Sequence, residues 1–279
     1  MAKNKAVAPF LKWAGGKRQL VQEIGRLLPP DLSGLTFYEP FIGGGALLFE
    51  LEPARAVIND YNGELINVYR VIKESPEELI GDLERHVNTA EYYYKIRGLD
   101  RGPAFGGLTP VQRASRIIYL NKTCFNGLYR VNAAGEFNVP FGRYKNPNIV
   151  NAAVIRAVSE YLNTADVRIL DGDYEAALGD ISRQSFVYLD PPYHPLSVSS
   201  SFTGYVQGGW GEADQVRLRD VCNALDSKGV KFMLSNSSAP FIREIYAGYD
   251  IRVVRASRAI NADSGKRGQV DEFIIRNYE

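Results

Sequence analysis

Phe37-Tyr38-Glu39-Pro40-Phe41-Ile42-Gly43-Gly44-Gly45-Ala46 reads as a β-run that enters three consecutive glycines and leaves as a helix. Glycine lets a backbone turn sharply and come close to a ligand. A purely structural tight turn would use the same residues. The Gly-x-Gly-x-x-Gly spacing of a dinucleotide fingerprint is absent, which argues against a nicotinamide-dependent oxidoreductase. Outward from this turn the same alternation recurs. Apolar, β-rich runs lie at 36–39, 56–59, 167–170, 186–189, 230–235, 251–254 and 272–276, and helical spacing follows several of them, at 45–52, 63–73 and 213–225. Strands alternating with helices predict an α/β fold with a largely parallel sheet. The last two runs have no clear helix between them, which predicts a hairpin at one sheet edge.

The alternation breaks between 72 and 150. Residues 77–85 and 111–120 read as helices, the second with Val111, Ala114, Ile117 and Ile118 on one face. Residues 121–148 are rich in Asn, Gly, Pro, Arg and aromatics, too polar and too punctuated for a core strand. The expected organisation is one α/β domain built from 1–71 and 151–279, carrying an inserted, mainly helical module over 72–150.

The chain has 279 residues, 45% of them hydrophobic, enough for a sizeable core. It contains no apolar run of about eighteen residues and no long apolar stretch near its start, so neither a membrane span nor a signal peptide is expected, and a cytoplasmic location is. Cys124 and Cys222 stand far apart, and with His86 and His194 they make no zinc spacing, so no metal is expected. Net charge is only +1, but its distribution is uneven. Residues 101–150 hold seven basic groups against the single acid Glu136, and the first twenty residues hold five basic groups and no acid. Positive stretches in a neutral chain suit a polyanion held on one face, although a solvated surface would look the same.

Three further segments carry chemistry. Asp60, in Val57-Ile58-Asn59-Asp60-Tyr61-Asn62, ends the second strand 17 residues after Gly43. An acid there is placed to accept hydrogen bonds from ribose hydroxyls. A helix N-cap would also explain Asp60 or Asn62. Val187-Tyr188-Leu189-Asp190-Pro191-Pro192-Tyr193 is the most specific signal. A buried strand delivers one carboxylate to its end, two prolines remove two N–H donors, and a tyrosine ring follows. Such an acceptor-only corner suits a flat ring bearing an amino group. Phe10-Leu11-Lys12-Trp13-Ala14-Gly15-Gly16-Lys17-Arg18 fits either a clamp on a zwitterion's carboxylate or a basic arm on DNA phosphates.

Taken together and in this order, these elements resemble the Dam-type, alpha-group family of DNA adenine-N6 methyltransferases. The similarity runs over nearly the whole chain and includes Asn138-Val139-Pro140-Phe141-Gly142-Arg143-Tyr144 and Asp271-Glu272. The resemblance implies a Rossmann-like, seven-stranded methyltransferase sheet, S-adenosylmethionine as cofactor and double-stranded DNA as substrate. It implies cofactor contacts from Trp13, Lys17, Glu39, Pro40, Phe41, Gly43, Asp60 and Asp173, and a catalytic corner of Asp190, Pro191, Pro192 and Tyr193. Residues 120–130 resemble the family's DNA-reading hairpin. Arg130 matches the arginine that reads guanine in members recognising GATC, and Lys12, Asn126 and Pro140 match positions contacting that site. Phe125 stands where a tyrosine that enters the duplex is expected, so it keeps the stacking face and loses the hydroxyl. Lys122, Arg143 and Tyr144 complete the expected DNA-facing set, and Lys122, Arg116, Lys145 and Arg258 are the candidates for phosphate contacts. A cognate restriction endonuclease is a further partner that the resemblance allows. Methyl transfer to cytosine N4 or RNA, or a DNA-binding role without catalysis, are the competing readings.

Overall fold

A computed structural model of the protein describes residues 6–13, 15–196, 209–257 and 269–279. Arg258, a phosphate candidate, lies outside the described residues. Among these residues the chain forms β1 (Thr36–Glu39), β2 (Arg55–Ile58), β3 (Asp166–Ile169), β4 (Ser185–Leu189), β5 (Lys231–Ser237), β6 (Asp250–Ser257) and β7 (Gln269–Arg276). The helices are α1 (Val21–Leu27), α2 (Ala46–Leu51), α3 (Gly63–Glu74), α4 (Pro76–Leu83), α5 (Ala90–Arg97), α6 (Pro110–Thr123), α7 (Ala152–Thr164), α8 (Glu212–Ser227) and α9 (Pro240–Ile245).

The strands form one seven-stranded sheet in the order β3-β2-β1-β4-β5-β7-β6. The first five are parallel, and β7 runs antiparallel between β5 and β6. The hairpin expected from the missing last helix is therefore present, with β7 inside it. Both sheet faces are covered, and the pleat assigns alternate residues to each. Phe186, Tyr188, Met233 and Ile274 join the core on the face of α3, α6 and α7. Val187, Leu189, Phe232, Leu234, Phe273 and Ile275 join the core under α8 and α9. This two-sided burial explains why these strands read as continuous apolar runs.

The helical stretch between β2 and β3 packs into the first of these cores: Leu79, Tyr93, Ile117, Tyr119, Phe137 and Val139 are continuous with Phe37 and Ile58. Thr89 caps α5 and Thr109 caps α6, the latter in a reciprocal box with Gln112. Strand order reverses between β1 and β4, which are parallel neighbours with Tyr38 beside Val187. A crevice opens outside the carboxyl ends of strands at such a reversal. Glu39 ends β1, and Asp190 follows β4 at once, so both reach this crevice.

Candidate active site and nucleic-acid interface

Beyond β1 the chain turns through the glycines. Gly43 (φ +48°) and Gly45 (φ +68°) adopt left-handed backbone, and Gly45 is the N-cap of α2. A Cβ on Gly43 would lie 2.9 Å from Trp13 Cδ1, and one on Gly45 would lie 2.6 Å from the Tyr69 hydroxyl. The turn is fixed from the next strand. Asp60 accepts from Gly43 N at 3.0 Å and from Asn62 N at 2.9 Å, Asn62 caps α3, and Tyr69 donates to Gly43 O at 3.0 Å. Asp60 thus orients the glycine loop while Asn62 serves as the helix cap. Asn59 donates to Pro40 O and to Gly172 O, drawing the loop that carries Asp173 alongside.

Four acids gather around this crevice. The Asp190 carboxylate meets Lys17 Nζ at 2.7 Å, and both side chains are largely buried. Lys17 also donates to Gly15 O and lies 4.5 Å over the Tyr193 ring. The Tyr193 hydroxyl donates to Glu272 Oε2 at 2.8 Å. Glu39 is buried, and its Oε2 has no hydrogen-bond partner. Burial is the main reason each of three carboxyls binds its proton more tightly than usual. Asp190 is pushed up to about 6, against the pull of Lys17. Glu39 rises well above the carboxylate range with help from Asp190, and Asp60 rises also. An acid-rich, desolvated crevice favours a cationic, N–H-donating occupant.

The backbone of the corner is braced from β5 and α8. Gln215, fully buried on α8, donates to Pro192 O at 2.9 Å and accepts from Asn236 Nδ2 at 2.9 Å. Asn236 Oδ1 accepts from His194 N at 3.2 Å. The rim is aromatic: Phe41 packs against Tyr174 at 5.0 Å and Trp210 at 5.7 Å. Asp173 sits there with its carboxylate engaged by Arg217 at 2.9 and 3.0 Å.

A second cluster adjoins through Trp13, whose indole stacks on Tyr129 at 4.8 Å. Residues 124–141 fold back on themselves through bridges at Cys124–Phe141 and Val131–Phe137. Buried Asn121 joins this hairpin to the N-terminal segment, accepting from Lys12 N and donating to Lys12 O and Gly127 O. Phe125 N donates to Pro140 O. Asn126 and Gly127 both take positive φ, which pushes out Phe125, 52% exposed. Arg130 lies on Asn138, and Lys12, Arg143 and Tyr144 are exposed on the same segments.

The profile of the D12 class N6 adenine-specific DNA methyltransferases matches residues 13–260. The chain belongs to that family. The methyltransferase is 50% identical over 281 residues to the Type II methyltransferase M1.LlaDCHI of Lactococcus lactis subsp. cremoris, covering 100% of this chain and 98% of the relative. It is 42% identical over 290 residues to the Type II methyltransferase M.MjaIII of Methanocaldococcus jannaschii, covering 98% and 99%. It is 34% identical over 279 residues to the DNA adenine methylase of Escherichia coli (strain K12), covering 98% and 95%.

The methyltransferase brings Trp13, Lys17, Glu39, Gly43, Asp60, Asp190 and Tyr193 to one crevice, and Lys12, Phe125, Asn126, Arg130 and Pro140 to the adjoining hairpin. One expectation is corrected. Arg116 is not available to phosphate: it is 3% exposed, pairs with Asp100 at 2.7 Å and donates to Ile96 O and Arg97 O. Its place on the buried face of α6 explains this. Arg101 and Arg113 of the same basic stretch are likewise paired, with Glu136 and Glu64. Sequence reasoning missed Gln215 and Asn236 altogether. It noted Glu272 without giving it a place in the site. No helix of the described residues is long and apolar enough to cross a membrane, and none of their His, Cys, Asp or Glu groups cluster as metal ligands.

Proposed function

We propose that this methyltransferase uses S-adenosylmethionine to methylate N6 of an adenine flipped out of duplex DNA, within GATC. The supporting observation is the corner at Asp190 and Tyr193. There a carboxylate and an aromatic face together hold an N–H donor, now the Lys17 ammonium. An exocyclic amino group is the same kind of partner. The cofactor supplies a methyl group on a sulfonium. Glu39, with a buried oxygen lacking a partner, suits its cationic amino end, Asp60 its ribose, the Gly43 turn its close approach, and Phe41 an aromatic face.

Adenine N6 is a weak nucleophile because its lone pair is shared with the ring. Asp190 and the carbonyl of Pro191 accept its two N–H bonds and turn the lone pair toward the donor. Asp190 also stabilises the positive charge that grows on N6. The braced Pro192 carbonyl keeps this loop rigid. Extrusion of the base costs a few kcal/mol. Stacking on Tyr193, worth about 1–3 kcal/mol, and Phe125 in the vacated space offset it.

Residues 72–150 act as the target-recognition module. Arg130, with Lys12, Asn126 and Pro140, reads the site, and Lys122, Arg143, Tyr144 and Lys145 hold backbone. The likeness to two Type II methyltransferases supports a role beside a restriction endonuclease. The test is expression in an unmethylated host, nucleoside analysis and mapping of modified adenines. N6-methyladenine confined to GATC is expected, with loss of transfer but retained cofactor binding in Asp190→Ala. Methylcytosine, a different site, or unchanged turnover in that variant would each overturn the corresponding element.

A further inference from the structure

Tyr193, three residues after Asp190, has a partner 79 residues further along the chain: Glu272 of β7. It reaches the crevice because β7 slots between β5 and β6, which sets Glu272 beside Ser237 and Val254. The residue is only 7% exposed, and Oε2 accepts from the Tyr193 hydroxyl at 2.8 Å. Burying a carboxyl group is costly, so one held here against that cost calls for a role. Asp190 is faced by Lys17 from the 3-10 turn at Lys17–Gln19, by Glu39 from β1, by Tyr188 of β4, by Tyr193 of its own loop and by Glu272 from β7. Lys17 offsets one negative charge in this group, and Glu272 supplies another.

We propose that Glu272 is a positioning residue for methyl transfer: it fixes the Tyr193 ring against the reacting amino group, and its charge readies Asp190 to take the proton that N6 releases. The inference rests on the proposed reading of residues 190–193. In the step, the N6 lone pair forms the new N–C bond while the C–S pair stays on sulfur. N6 then carries four bonds and a positive charge. It gives one proton to Asp190, leaving a neutral methylamino group and a carboxylic acid that returns the proton to solvent. A second buried carboxylate makes Asp190 a better acceptor, since a nearby like charge favours the protonated form.

The experiment compares the parental protein with E272Q and Y193F. Carbon-13 carboxyl NMR of aspartate-labelled, cofactor-free protein follows Asp190, with D190N for assignment, and single-turnover transfer to duplex DNA is followed against pH. Glutamine keeps an acceptor for Tyr193 and removes the charge. The Asp190 titration midpoint and the acid limb of transfer are both expected to fall in E272Q. Y193F keeps the charge and loses the tether, so its limb stays in place while kcat falls more than KM rises. An unmoved midpoint in E272Q, or parental kcat in Y193F, overturns the role of Glu272. A parental protein that leaves adenine unmethylated overturns the reading of residues 190–193 instead. If E272Q does not fold, Y193F still decides, because parental kcat there is incompatible with the proposal.

Discussion

Trp13 lies against Tyr129 with ring centroids 4.8 Å apart and planes 26° from parallel, and the edge of the same indole blocks the space above Gly43. One side chain therefore touches both the glycine turn and the hairpin at 124–141. Tyr129→Ala is expected to weaken S-adenosylmethionine binding by up to about tenfold, since an aromatic pair contributes about 0.5–1.5 kcal/mol. Tyr129→Phe should bind as the parent does. Titration calorimetry measures both, and equal affinity in Tyr129→Ala would mean that the indole holds its place without the tyrosine.

The glycine turn leaves little room for substitution. Gly45→Ala would push a methyl into the Tyr69 hydroxyl and the Phe49 ring at a positive φ. Overpacking and backbone strain together should lower stability by about 1–3 kcal/mol, read by urea unfolding. Gly43→Ala displaces Trp13, so its expected signature is lost cofactor affinity and altered indole fluorescence. Parental affinity in Gly43→Ala would show that the cofactor does not need this approach.

In its proposed role Asp190 is expected to set an acid limit on turnover. Its carboxyl holds its proton up to about pH 6, chiefly because of burial. The protonated form presents an O–H where N6 needs an acceptor, so kcat/KM should fall about tenfold for each pH unit below that value. Above it the carboxylate is fully formed and the rate levels off. A profile that stays flat through this range would show that the ionised carboxylate is not required.

Two arginines on neighbouring segments should fail in different ways. Arg116→Met removes one partner of a buried pair and leaves Asp100 uncompensated, a loss of about 3–5 kcal/mol in unfolding free energy. Arg130→Ala should leave stability near parental and relax the choice at one guanine by about 1–3 kcal/mol. Unfolding curves and methylation of single-base variants of the site separate the two. Parental selectivity in Arg130→Ala would assign that base to another residue.

The sheet could be read from the sequence because its strands are buried on both faces, so they stand out as short apolar runs between turn residues. The glycine turn and the Asp-Pro-Pro-Tyr corner were equally legible, since each is contiguous. Helix α5 was hidden by Tyr92, Tyr93 and Tyr94 in a row, which obscure the period; only Tyr93 of the three is fully buried. Helix α7 did carry a usable signal, with Ile155, Val158 and Leu162 on one face. Arg116 misled because a basic residue on a helix looks the same whether it faces solvent or a buried acid 16 positions back. Gln215, Asn236 and Glu272 lie far from the corner in sequence, and only the strand order brings them to it.

Strand β7 sits between β5 and β6 although it is made after both. Glu272 therefore reaches the crevice only once the last strand has paired with both of its neighbours. The tether on Tyr193 thus depends on the final insertion of β7 into the sheet.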